Sequence, residues 1–366
     1  MSKVIIKKAD YAYDTLKPLV FELMDSLGGK RIGKNSRVVI KPNLLAPAAP
    51  DRAIVTHPLV IKAVVEYVNE RGVRPRVSDS PAVGSFKKIL RESGIEQELQ
   101  GLDADFREFK DSVSIDVGKP FNRIEIARDA IESDFLINLP KLKTHVQMQL
   151  TLGVKNLFGC IVGMKKPEWH FRAGVDREMF ADLLARICKT VNPEITIMDG
   201  ILAMEGQGPA KGGTPKKLGL LLGSNNAVAL DITVCKMLGL EPDALLTNKM
   251  SGPYAEEIMV EGDLPVITGF ELPENSPLLF GPQAMQGFIR RHLVQRPVSD
   301  DNLCRMCGEC WKYCPAKAIS QDRKHIQFDY DACIRCYCCI EVCPHGALQA
   351  KDTVIGTIAN RILKIR

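Results

Sequence analysis

Two cysteine runs near the end of the chain constrain it more than anything else in the sequence. Cys304, Cys307, Cys310 and Cys314 stand at Cys-x2-Cys-x2-Cys-x3-Cys before Pro315, and Cys333, Cys336, Cys339 and Cys343 repeat that spacing before Pro344. Three thiolates two residues apart come from one tight loop, and in a doubled run the fourth ligand comes from the other run. Cys304, Cys307, Cys310 and Cys343 are therefore assigned to one centre, and Cys333, Cys336, Cys339 and Cys314 to a second. Soft thiolates in fours suit zinc or an iron–sulfur cluster. Zinc sites are usually built from two Cys-x2-Cys pairs a dozen or more residues apart. A triplet plus one, written twice with the same proline, points instead to two [4Fe-4S] clusters. An extra thiol, Cys338, falls outside the register and reads as a buried bystander. The apolar turns 315–319 and 344–348 would pack against the clusters and keep water off them.

On these residues the chain resembles the bacterial-type ferredoxin with two [4Fe-4S] clusters, over about 297–350. The resemblance implies single-electron transfer and a soluble electron donor or acceptor as partner.

The rest of the chain is long enough for further domains. Its 366 residues, 45% hydrophobic and 25% charged, can bury a sizeable core. A net charge of +5 without a long basic run argues against nucleic acid. No window of eighteen apolar residues offers a membrane span, and the first residues lack a signal-peptide core. Cys160, Cys188 and Cys235 are scattered through apolar sequence, a usage that suits a reducing compartment. A cytoplasmic location is expected.

Short apolar runs alternate with helical patterns over residues 1–240, which argues for an α/β domain. The expected fold is a mostly parallel open sheet with crossover helices, followed by a small C-terminal α+β ferredoxin-type domain. Helices are expected at Tyr11–Leu27, from Pro58 to Arg71 with Thr56 or His57 as cap, and at Phe86–Ser93. Strands are expected at Val38–Ile40, Val73–Val77, Asp134–Leu139, Ile195–Met198 and Leu218–Leu222, with a hairpin over Ser112–Ile126. Residues 241–296 read as a connector with helical pieces near 255–261 and 283–294. The ferredoxin-type domain follows at 297–350 and a tail at 351–366.

Ligands bind beyond the carboxyl ends of strands in an open parallel sheet. Those ends carry Lys41 and Asn43, Asp79 and Ser80, Lys141, Lys143 and His145, Asp199, and Ser224 and Asn225. Strand ends meet solvent in any case, so polarity there also has a bland explanation. From Lys141 to Arg172, however, Lys141, Lys143, Lys155, Lys165, Lys166 and Arg172 face a single acid, Glu168, and alternate with glycine and apolar residues. Glycine lets backbone N–H groups approach an anion, and lysine binds one as a point charge. The expected anion site comprises Lys41, Asn43, Lys141, Lys155, Asn156 and Asp199. His145 and Lys143 are the candidate catalytic groups, His145 as a proton donor. The glycine-rich stretch 199–214 meets neither nucleotide-binding fingerprint. Asp231 reads as a helix cap.

Three segments carry a second resemblance: Lys41-Pro42-Asn43 with the helix after it, Leu139–Gly159, and Asp199-Gly200 with Leu230-Asp231. Over about 35–240 they resemble the domain of unknown function 362 family, whose members often carry a C-terminal ferredoxin module. The resemblance implies an α/β domain coupled to iron–sulfur clusters and names no reaction. The leading expectation is an iron–sulfur oxidoreductase passing single electrons to a small anionic molecule on the α/β domain. Whether the chain is an enzyme stays open. An electron carrier or adaptor without chemistry of its own, or a non-redox enzyme with structural clusters, would use the same parts. Homo-oligomerisation is also left open.

Overall fold

The computed structural model describes the chain apart from residues 164, 174–175, 253–256, 274–291, 323–324 and 364–366. Ten strands make the main sheet. They begin with β1 (Ser2–Lys8), β2 (Val38–Pro42), β3 (Arg76–Val77) and β4 (Asp105–Phe106). A separate hairpin, β5 (Ser112–Gly118) and β6 (Asn122–Ala127), intervenes as expected. The sheet continues with β7 (Phe135–Leu139), β8 (Lys141–His145), β9 (Gln149–Thr151), β10 (Ile195–Gly206), β11 (Gly213–Ser224) and β12 (Ile258–Glu261). The order is β12-β1-β11-β10-β7-β2-β3-β4, with β8 beside β10 and β9 beside β8. From β10 to β4 every neighbour is parallel.

Period-two alternation distributes the apolar residues over two faces. Ile40 and Ile137 point into a core with Leu16, Val20, Val60 and Val64 of the helices Tyr13–Ser26 and Pro58–Asn69. Val39 and Leu136 point the other way, against Phe180, Leu184 and Ile187 of the helix Arg177–Val191. With helices on both faces, β2 and β7 are buried at every position, as parallel strands usually are.

Three expectations change with the strand pairing. β11 runs antiparallel to β10, with Ser224 opposite Thr196 at the start of β10. Ser224 and Asn225 therefore lie at the edge opposite to the one carrying Lys41 and Asp79. β10 does not end at Asp199 but runs on to Gly206 through an irregularity between Gly200 and Leu202. It can do so because Lys141–His145, expected as a loop, is a strand that pairs parallel with it, Lys141 opposite Asp199. β1 was not anticipated. It pairs antiparallel with β11 and parallel with β12, which occupies part of the stretch expected as connector helix. The helical piece expected at 283–294 lies largely outside the described residues.

Asp231 has a different role from the one its position suggested. Its helix, Ala227–Met237, is capped by Asn226. Asp231, inside that helix, accepts from the backbone N–H groups of Gly153 at 2.7 Å and Val154 at 3.0 Å. It thus caps a neighbouring short helix, Gly153–Asn156, whose first N–H groups have no partner of their own.

The C-terminal module pairs β13 (Arg296–Ser299) with β16 (Leu348–Lys351), and β14 (Ile319–Asp322) with β15 (His325–Phe328). Each cysteine run leads into a short helix, Glu309–Lys312 or Cys338–Val342.

Burial pushes the Asp231 carboxyl up from 3.8 to about 7, against the pull of the Val154 and Gly153 N–H groups. A folded pKa above the unfolded one makes this group's contribution full below about pH 4 and lost as pH rises through about 7. Asp231→Ala is expected to lower stability by about 1–3 kcal/mol in urea unfolding, because two buried N–H groups lose their acceptor. The wild-type advantage should shrink between about pH 4 and 7.

Candidate functional site

The parallel strands deliver their polar ends to one edge. Lys41, at the end of β2, is fully buried and sits 2.8 Å from Asp79 beyond β3. Asp79 also accepts from the backbone N–H groups of Leu44 (2.8 Å) and Ser80 (2.9 Å). A Cβ at Gly159 would run into both the Asp79 carboxylate and the Lys41 ammonium, so only glycine lets that segment close over the pair. Lys166 donates to the Ser80 carbonyl, and burial pulls its pKa down to about 8.

Lys141 and Asp199, both expected at the anion site, satisfy one another instead. They lie 2.7 Å apart and are fully buried. Asp199 accepts further from the Tyr11 hydroxyl (2.8 Å) and the His57 N–H (2.9 Å). Neither residue lines the cavity described next.

Lys143 is two residues along the same strand, so it points to the same side of β8 as Lys141. It is also buried, yet no carboxylate lies within ion-pair distance of it among the described residues. Its Nζ donates to Asn43 Oδ1 (2.9 Å) and the Ile54 carbonyl (2.7 Å). Asn43 donates in turn to Asn156, and Asn156 to Asn138. Burial, and then the neighbouring Lys155, hold the Lys143 pKa well below that of an ordinary lysine.

A cavity of about 290 Å³ opens beside Lys143. Lys41, Asn43, Lys143, His145, Lys155 and Asn156 meet in its wall, joined by Asp79, Thr151, Lys166 and His170. Leu44, Leu45, Phe158 and Pro167 supply apolar surface. The cysteine-rich module contributes Tyr313, Cys338, Glu341 and Val342 to the same wall. The module therefore packs over the strand-end edge.

One contact ties the two parts together. His145 Nδ1 accepts from the backbone N–H groups of Gln147 (3.1 Å) and Met148 (3.2 Å), which places the ring proton on Nε2. Nε2 lies 2.8 Å from Glu341 Oε1. Burial, with Lys155 nearby, pulls the His145 pKa down to about 4 against the opposing pull of Glu341. Burial alone would raise the Glu341 pKa, but His145 and Lys155 outweigh it and keep the carboxylate ionised. His145 Nδ1 is thus engaged as an acceptor, while Nε2 and Glu341 Oε1 lie at contact distance without hydrogen-bond geometry. Half-buried Lys155 has no ion-pair partner among the described residues, and burial lowers its pKa against the pull of Glu341. Thr151 Oγ1 and His170 Nδ1, both buried, lack hydrogen-bond partners among the described residues. Buried polar atoms are normally paired with protein or ordered water.

The eight cysteines of the two runs surround two smaller cavities. Cys304, Cys307, Cys310 and Cys343 line one. Cys314, Cys333, Cys336 and Cys339 line the other. None of the eight is in a disulfide among the described residues. Thiols set around a space, rather than converged on a point, fit a polynuclear cluster better than a single ion. Cys338 lines the large cavity instead of either small one. The second cysteine cavity is adjacent to the large one, since Tyr313 and Cys338 directly precede Cys314 and Cys339. Cys307 is exposed, whereas Cys336 and Cys339 are buried. Glu341 and Cys338 were not foreseen at this site. A helical acid and an off-register thiol carry no signal of which surface they will face.

Two family models match parts of the chain. The model of a domain of unknown function, DUF362, matches residues 38–236, and that of a 4Fe-4S dicluster domain matches 296–344. The thylakoid-associated protein sll1697 of a Synechocystis species is 34% identical over 303 residues, covering 80% of this chain and 94% of that one. The pyruvate synthase subunit PorD of Thermotoga maritima is 39% identical over 59 residues, 16% of this chain and 60% of that one. The electron transport protein HydN of Escherichia coli is 35% identical over 54 residues, 14% of this chain and 31% of that one. A lactate racemase apoprotein from Thermoanaerobacterium thermosaccharolyticum superimposes with a TM-score of 0.37 and 9% identity, over 58% of this chain and 53% of that one. The cysteine-rich module is an iron–sulfur electron-transfer domain. No helix among the described residues is long and apolar enough to cross a membrane.

Cys314→Ala should abolish the cluster signal belonging to Cys333, Cys336 and Cys339 while the other survives. Cys338→Ser should leave iron and sulfide content unchanged; loss of a cluster there would show that Cys338 is a ligand. Gly159→Ala should separate Lys41 from Asp79 and destabilise the fold by about 3 kcal/mol or more in urea unfolding, since breaking a buried ion pair leaves both charges uncompensated.

Proposed function

This chain belongs to the DUF362 family and carries an iron–sulfur module, and from that premise we propose an oxidoreductase that reduces or oxidises a small anionic molecule one electron at a time. The observation that carries the reading is the shared cavity, walled on one side by Lys143, His145 and Lys155 and on the other by Glu341 and Cys338. Two [4Fe-4S] clusters, one per cysteine cavity, would supply single electrons when bound. Cys307, the exposed ligand, marks the side from which a redox partner exchanges electrons with the first; the second lies beside the cavity. The proposed setting is the cytoplasm.

The residues divide the work. Lys155, without a carboxylate of its own, holds the anion. Lys41 and Asp79 neutralise each other and shape the floor. A positive field at the anion eases the addition of an electron. The carrier reading needs only an exposed docking surface, and a concave polar cavity with unpaired atoms on its wall favours the enzyme instead.

Anaerobically purified protein should contain about eight iron and eight sulfide per chain. Extraction of that protein, followed by mass spectrometry, should release a small anion that is absent from Lys155→Met. Its affinity should fall with rising salt as screening weakens the charge contact. An empty wild-type extract, with no salt-dependent binding of small carboxylates, would favour the carrier.

A further inference from the structure

We propose that Lys143 is an amine nucleophile that captures the carbonyl carbon of a small 2-oxo acid as an imine, with Lys155 facing the acid's carboxylate. The proposal rests on the reading of the cavity as a substrate site and names the class of substrate.

The geometry at Nζ carries it. Lys143 is the one of three lysines buried along β2 and β8 that is given neutral partners: Lys41 has Asp79 and Lys141 has Asp199. Its two acceptors, Asn43 Oδ1 and the Ile54 carbonyl, match the two hydrogens of a neutral amine. No third acceptor pairs with it among the described residues. An ammonium would leave its third hydrogen unused in a buried position, whereas an amine leaves a lone pair there. Desolvation and a neighbouring cation are also the two influences that activate lysine as a nucleophile, and Lys155 is that cation. The Asn43–Asn156–Asn138 chain fixes the acceptor oxygen, and so the Nζ position.

The step is balanced without a co-reactant. The Nζ lone pair adds to the carbonyl carbon and the C=O π bond opens to a carbinolamine. The oxygen then leaves as water with both amine hydrogens, and a C=N bond remains. Hydrolysis reverses the sequence. No electron is gained or lost in the capture, so it is separate from the electron-transfer step. A cavity of about 290 Å³ accommodates a compact oxo acid, and Leu44, Leu45 and Phe158 suit a short apolar substituent.

The test treats the cluster-loaded protein anaerobically with pyruvate and cyanoborohydride, then maps the adduct by peptide mass spectrometry. Calorimetry with pyruvate alone runs in parallel. The expected result is one reduced adduct, on the peptide containing Lys143. It should be lost in Lys143→Arg, and its yield should fall several-fold in Lys155→Met, which keeps the amine and loses the carboxylate's partner. Mapping of the wild-type protein does not depend on either variant folding. Binding without an adduct at Lys143, or an adduct spread over surface lysines, overturns the imine and leaves the anion site standing. Neither binding nor adduct removes the 2-oxo acid together with the anion site.

Discussion

Three lysine side chains are buried along β2 and β8 of one sheet, and the arrangement around them follows from what each requires. Taking a charge out of water costs several kcal/mol unless it is paired and hydrogen-bonded. Lys41 meets this with Asp79, and Lys141 with Asp199. Each carboxylate is itself held by backbone N–H groups, Leu44 and Ser80 for the first and His57 for the second. Lys143 has only an amide oxygen and a carbonyl. The cheapest response of such a group is to give up its proton. Of the three lysines buried along β2 and β8, Lys143 is thus the one without a carboxylate, which is why the proposed chemistry is placed there.

The same accounting explains how the two parts of the chain are joined. Glu341 is a buried acid on a helix framed by Cys339 and Cys343, and its carboxylate lies 2.8 Å from His145 Nε2 on the sheet edge. Val146, next to His145, packs with Cys310, Cys339 and Cys343 in one apolar cluster. The module is thus seated by a polar contact and an apolar one side by side, and the cavity lies where they meet.

The strongest parts of this architecture were legible in the sequence because they are local. Cysteine spacing reports one tight loop at a time, and Cys304, Cys307, Cys310 and Cys343 line one small cavity while Cys314, Cys333, Cys336 and Cys339 line another. Lys41, Asn43, Lys143 and His145 could be gathered from the parallel-strand pattern, and Lys155 and Asn156 from the alternation of lysine with glycine and apolar residues. The rest required long-range register. Nothing in Leu218–Leu222 says that its strand runs backwards, so Ser224 and Asn225 were placed at the wrong edge. Lys141 and Lys143 look alike in sequence, and only the pairing of Lys141 with Asp199 across β8 and β10 separates their roles. Glu341 belongs to a different module from its partner, and no periodicity links them.

The central claim is that a small anion and one particular cluster occupy adjacent sites. Electron paramagnetic resonance of the dithionite-reduced protein, titrated with pyruvate, tests it most directly. The account predicts that one of the two reduced-cluster signals shifts with saturation, and that it is the signal missing from Cys314→Ala. A titration that moves neither signal, or only the signal surviving in Cys314→Ala, would contradict it.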